Sequence, residues 1–138
     1  MAVPFKAPVK DITFGYEVID SYNILNKISE FSDFSEDIVI PTMEECAKFS
    51  EEVLAPINAI GDQQGATIDN GVVKMPQEFV DAYKKFAEAG WASISLPEEI
   101  GGGGQPITLS GGTLEILSTA NLASVSYTHL TLPTIGYV

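Results

Sequence analysis

This chain predicts a mainly α-helical fold, an antiparallel helical bundle with one short β-hairpin near residues 67–74. Three observations predict it. Apolar residues recur at three- and four-residue steps through several segments. Thr42 and Glu45 stand three apart, in the spacing of a capping box that opens a helix. The pair Asn70-Gly71 lies between β-branched runs, as in a tight hairpin.

In "FKAPVKDITFGYEVIDSYNIL", Ile12, Tyr16, Ile19 and Tyr22 or Asn23 make a stripe for one short amphipathic helix, although Gly15 weakens it. "SEFSDFSEDIVIP" is rich in serine and acid and reads as a linker with a helix beginning at its far end. The strongest helical segment starts at Thr42. Its hydroxyl is placed to cap free amides while Glu45 reaches back. Cys46, Phe49, Val53, Leu54, Ile57 and Ile60 then form a buried stripe, with Glu44, Glu45, Lys48, Glu51 and Glu52 mostly facing water. Pro56 lacks an amide donor, so a kink is expected there and an end near Gly61.

In "ATIDNGVVK", Asn70 and Gly71 tolerate the positive φ of a type I′ turn. Pro76 suits the first turn of the next helix, whose buried side is read as Phe79, Val80, Tyr83, Phe86 and Ala87. Lys84 and Lys85 favour its C-terminal end, Gly90 is its left-handed stop, and Trp91 packs back onto it. "ISLPEEIGGGGQP" is a loop. A last helix runs from about Thr108 to Ser124, with Leu109, Thr113, Ile116 or Leu117, and Ala120 on one side.

At 138 residues, 45% hydrophobic and 19% charged, the composition is that of a globular domain. No apolar run approaches the ~20 residues of a membrane span, and "MAVPFKAPVK" lacks the apolar core of a secretion signal. A soluble, cytoplasmic protein is expected. One cysteine, Cys46, and one histidine, His129, make neither a disulfide framework nor a zinc cluster. A net charge of -12 repels nucleic-acid phosphates and anionic lipid.

Taken together, "FKAPVKDITF", "CAKFSEEVLAPINAIGDQQGATIDNGVVKMP", "FVDAYKKFAEAGWASISLPEEIGGGGQP" and "LSTANLA" resemble the N-terminal region of bacterial acyl-CoA dehydrogenases. The nearest branch is the larger one that includes the 3-methylmercaptopropionyl-CoA dehydrogenases. The resemblance covers roughly Phe5 to Ala123. Its specificity lies in the order and spacing of "EEVLAP", "GD-x-x-G", "DNG", "AGW" and "PEE-x-GG". Ile100 departs from the family's usual aromatic, and Gly103 lengthens the glycine run.

What the resemblance implies is a flavoenzyme with an N-terminal helical domain, a middle β-domain, a C-terminal helical domain and FAD bound between subunits of a homo-oligomer. A glutamate of such an enzyme removes the α-proton of an acyl-CoA thioester, the β-hydride passes to the flavin, and electrons go on to an electron-transfer flavoprotein. Only the first of those domains has a counterpart here. The expected division is an N-terminal extension at 1–37, the helical domain at 38–124 and a non-native tail at 125–138.

The tail, "VSYTHLTLPT" from Val125 to Thr134, continues no pattern before it and corresponds codon by codon to a transposase adapter used in sequencing libraries. Ile135, Val138 and the stop fit the adapter's continuation. Read so, the native part of the chain runs from Met1 to about Ser124, His129 has no native role, and the chain is a fragment of a longer protein, inert by itself.

No catalytic or metal-binding residue is assigned, and the cofactor-binding residues are unknown. Cys46 reads as a small buried hydrophobe with no basic neighbour to activate it. Glu98 and Glu99 read as a solvated loop. The run Gly101 to Gly104 lacks both the flanking strand and the lysine followed by serine or threonine of a phosphate loop. Trp91 reads as core filling. Helix faces over Thr42–Ile60 and Thr108–Ser124 are expected to stay wet in a fragment, giving aggregation or loose packing. The alternative is a stand-alone helical module that docks a partner through those faces.

Overall fold

A computed structural model describes residues 4–125, and His129 with the rest of the tail beyond Val125 lies outside them. The order is α1 (Val9–Val18), α2 (Ser21–Leu25), α3 (Glu36–Phe49), α4 (Asn58–Gln64), β1 (Thr67–Asp69), β2 (Val72–Lys74), α5 (Gln77–Glu88) and α6 (Ile107–Ala120). Single turns of tighter helix stand at Ser29–Phe31, Ala55–Ile57, Trp91–Ser93 and Glu98–Ile100. The fold is mainly α with one small antiparallel hairpin, as the sequence predicts.

The first expected helix is two. Asp20 takes a left-handed conformation, φ 54°, which a helix cannot propagate, and the chain turns from α1 into α2. Tyr16 is buried whereas Ile19 is exposed, so the stripe stops at the turn. The turn brings Tyr22 to 6.3 Å from Tyr16 and 5.8 Å from Phe34, ring to ring.

α3 begins at Glu36, not at Thr42. Ser35 is extended, its carbonyl accepts the amides of Ile38 and Val39, and Glu36 and Asp37 favour the positive end of the helix dipole. Thr42 is therefore no N-cap, and its hydroxyl donates back to Ile38 O at 2.7 Å within the helix. Pro41 lies inside α3. Its missing amide is offset by the burial of Phe34 and Val39, so the segment read as a linker is partly core.

The expected kink near Pro56 takes the form of a change of helical pitch. Ser50–Leu54 is a π-helical turn in which Ala55 N–H bonds Ser50 O, and the tight turn Ala55–Ile57 follows. A proline cannot donate to the carbonyl four residues back, and a wide turn followed by a narrow one absorbs the mismatch. The helix then runs past Gly61 to stop at Gly65, φ 62°. Gly61 serves packing instead. A Cβ there would sit 2.5 Å from Phe79 Cζ.

The hairpin is as expected, with Asp69 paired to Val72 and positive φ at Asn70 (50°) and Gly71 (79°). In α5 the buried residues are Phe79, Ala82 and Phe86, whereas Val80, Tyr83 and Ala87 are exposed. The buried face is thus rotated from the expected one, because Phe79 enters the slot above Gly61 and Phe86 meets Phe49 at 6.3 Å. Gly90, φ 75°, is the left-handed stop.

α6 lies against α3, and α1 packs on α3 and reaches α6 through the Tyr16 hydroxyl. They meet at Gly112, where a Cβ would be 2.4 Å from Met43 Cε, 2.9 Å from Tyr16 Oη and 3.3 Å from Ile12 Cγ2. α6 ends at Ala120 rather than Ser124. Asn121 (φ -158°, ψ 88°) breaks it, and one more helical turn follows over 122–125.

Candidate functional site

Three grooves lined by described residues bear on the site. The first, about 440 Å³, runs between α1 and α6 and is lined by Ile12, Gly15, Tyr16, Thr108 and Gly112 with Asp11 and Glu115 at its polar edge. The Tyr16 hydroxyl in its lining donates to Thr108 O at 2.6 Å. Burial, aided by Tyr22 and Glu115, pushes this phenol up to about 12, so it stays a donor and is no acid–base group at neutral pH.

The second groove, about 660 Å³, lies between the N-terminal segment and α3, with Lys10 and Lys48 among Asp11, Glu44, Glu51 and Glu52. Here the half-buried Glu51 carboxylate pairs with Lys6 and accepts the Ala7 amide at 3.1 Å. These hydrogen bonds hold its pKa below the usual glutamate value. Glu51 therefore pins the segment before α1 onto the helix surface.

The third, about 340 Å³, lies beside the glycine run and includes Thr42, Gly90, Ser93, Ile94, Gln105 and Leu109. A phosphate loop needs free amides, and these are spent. Gly102 N–H donates to Pro97 O, Gly103 to Ser93 O, Gly104 to Leu96 O and Gln105 to Ile94 O, all at 2.9 to 3.0 Å. The two backbones lie so close that a Cβ on Gly102 would be 2.1 Å from Leu96 O, and one on Gly103 2.8 Å from Ile94 O. The glycines serve main-chain contact, not anion binding.

The other singled-out residues stay apart. Cys46 is fully buried, its thiol pushed up to about 12 by burial, which outweighs the downward pull of the neighbouring Ser50. Its Sγ lies 3.6 Å from Thr113 O across the α3–α6 contact. Glu98 and Glu99 are exposed on a single turn, with Glu98 lying along Gly104. Trp91 packs at 6.1 Å from the Phe49 ring, and its Nε1 is buried with no acceptor. Among the described residues no three His, Cys, Asp or Glu side chains could hold a metal ion, and no helix is long and apolar enough to cross a membrane.

Sequence reasoning missed Asn121. Only 1% exposed, it donates from Nδ2 to Leu54 O at 3.0 Å and accepts Ser124 N–H on Oδ1 at 3.0 Å. The signal was present in "STANLAS", since asparagine before a helical turn is a preferred N-cap.

The described residues thus form a helical framework with one small hairpin and a glycine seam. The model of the acyl-CoA dehydrogenase N-terminal domain matches residues 42–136, and the chain belongs to that family. It is similar to the 3-methylmercaptopropionyl-CoA dehydrogenase of Ruegeria pomeroyi, with 34% identity over 119 residues, 86% of this chain and 20% of that protein. The chain thus spans about a fifth of that relative's length. The matched span extends over 125–136, the stretch that the sequence pattern and codon correspondence set apart.

The family implies FAD, and the linings of these three grooves do not fit its pyrophosphate. The first groove is edged by carboxylates, the second sets four carboxylates about two lysines, and the amides beside the third are engaged. None of these offers an anionic pyrophosphate what it needs, which is free amides or net positive charge.

Proposed function

We propose that this chain is the N-terminal helical part of an FAD-dependent enzyme that dehydrogenates an acyl-CoA thioester at its α,β-bond, and that the chain by itself is inert. The observation that carries the reading is the family match on a chain spanning a fifth of the relative's length. The relative's name supports a short sulfur-bearing acyl-CoA as a substrate to try first. In this reading the catalytic base, the flavin contacts, the homo-oligomer interface and the docking site for an electron-transfer flavoprotein belong to the parent polypeptide, and residues 4–125 supply packing. The proposed division keeps 1–37 as an extension, 38–124 as the domain and 125–138 as a non-native tail.

Character of α6 supports a covered position in the parent. Over Ile107–Ala120 its one charged residue is Glu115, and Ile107 is 74% exposed although the opposite side forms the core. Ile107 and Leu114, exposed beside Thr108, Glu115 and Thr119, give that side a partly apolar surface for a further layer.

The test compares the purified chain with the product of the uninterrupted gene. The chain is expected to show no flavin absorbance and no acyl-CoA oxidation, and the longer product both. Stoichiometric FAD on the short chain overturns the reading. A source gene that reads through the last codons unchanged, with a defined binding partner for the purified chain, favours a helical interaction module instead.

A further inference from the structure

The tip of the hairpin carries chemistry that the enzymatic reading does not use. Asn70 and Gly71 are both exposed, and nothing lies within 4 Å of where a Gly71 Cβ would be. An asparagine side-chain carbonyl followed by an unshielded glycine amide is an electrophile next to a nucleophile. We propose that Asn70-Gly71 is a site of spontaneous intramolecular deamidation. The Gly71 nitrogen, losing its proton to solvent, bonds to Asn70 Cγ. The Cγ–Nδ2 bond breaks and ammonia leaves. Water then opens the five-membered imide at either carbonyl, giving aspartate or its β-linked isomer, with no change of oxidation state.

The attack needs a backbone conformation other than that of the tight turn, and the hairpin supplies it by opening. Each strand is three residues long and exposed throughout, and a two-stranded ribbon of this size is marginal in water. The other four asparagines are shielded. Asn23, Asn26, Asn58 and Asn121 precede Ile24, Lys27, Ala59 and Leu122, whose side chains crowd the attacking nitrogen. The amides of Asn23 and Asn121 are also held, by Asp20 Oδ1 at 2.7 Å and Leu54 O at 3.0 Å.

The product alters the turn. A carboxylate at position 70 adjoins Asp69, which already pairs with Lys74. The β-linked isomer adds a backbone atom to a two-residue turn and so breaks the pairing of Asp69 with Val72.

The experiment incubates the full chain in mildly alkaline buffer and follows each asparagine by peptide mass spectrometry, beside a free peptide of residues 66–75. Expected are loss of the Asn70 amide with two products of acid mass, retention of the other four amides, and a slower loss in Gly71→Ala. If Asn70 persists in the chain while the free peptide converts, or converts no faster than Asn58, the proposal fails.

Discussion

The side-chain amide of Asn121 donates to the main-chain carbonyl of Leu54 at 3.0 Å, across a sequence separation of 67, and joins the break in α6 to the change of pitch before Pro56. Asn58 N–H bonds Ala55 O, one residue nearer than regular helix would have it. The Leu54 carbonyl thus takes its donor from Asn121. The irregularity in one helix is completed by the irregularity in the other.

Replacing Asn121 should therefore cost more than a surface exchange. Asn121→Ala removes the donor to Leu54 O and the cap on Ser124, with an expected loss of about 1–3 kcal/mol in urea unfolding. Asn121→Asp keeps the cap but sets a carboxylate against a carbonyl in a buried site, which raises its folded-state pKa. The folded state then binds a proton more tightly than the unfolded chain. The Asp variant should be the weaker of the two at neutral pH and regain stability as pH falls through that raised pKa.

Two adjacent glycines of α6 should respond with opposite signs. At Gly111 nothing lies within 4 Å of a Cβ, and Gly111→Ala should stabilise by up to about 1 kcal/mol through helix propensity. At Gly112 the same methyl meets Met43 and Tyr16, and overpacking of about 1–3 kcal/mol should outweigh that gain. Thermal midpoints of the two variants measure the contrast.

Alkaline stability should follow Cys46 and Tyr16. Both have folded-state pKa values raised to about 12, from 9.0 and 10.0 respectively, so the unfolded chain loses these protons first. Their contribution is full below about pH 9 and falls between there and about 12. Tyr16→Phe in a Cys46→Ala background should remove most of that pH dependence, at a cost near neutrality of about 1 kcal/mol for the lost bond to Thr108. In the native chain Cys46 should react with thiol reagents only as fast as the protein opens.

Gly102→Ala should be the most damaging exchange in the glycine run. Its methyl meets Leu96 O, a main-chain atom that cannot rotate aside, and the hydrogen bonds of Gly102, Gly103 and Gly104 would part together. A loss of about 2 kcal/mol or more is expected from these bonds. Faster hydrogen exchange confined to 93–105 would locate it.

Local chemistry was legible in the sequence wherever a residue's own conformation decides. Asn70-Gly71 made the turn and Gly90 stopped α5, because positive φ is a property of those residues. Distant packing was not legible. Pro41 with Thr42 looks like a start, yet burial of Phe34 and Val39 carries the helix back to Glu36. The spacing places Phe79 and Phe86 on the buried side but not Ala82, since the choice of face depends on Gly61 and Phe49, elements away. For the site, the dismissal of a phosphate loop at Gly101–Gly104 followed from absent residue types, whereas the engagement of the loop's amides needed the fold.

The seam between 93–97 and 102–105 is written in main chain alone, four bonds with no side chain among them. Such a joint has no alphabet: single-letter edits at Gly102 or Gly103 can only pry its plies apart. An engineer who wants a different corner here would have to transplant both strips as one cassette.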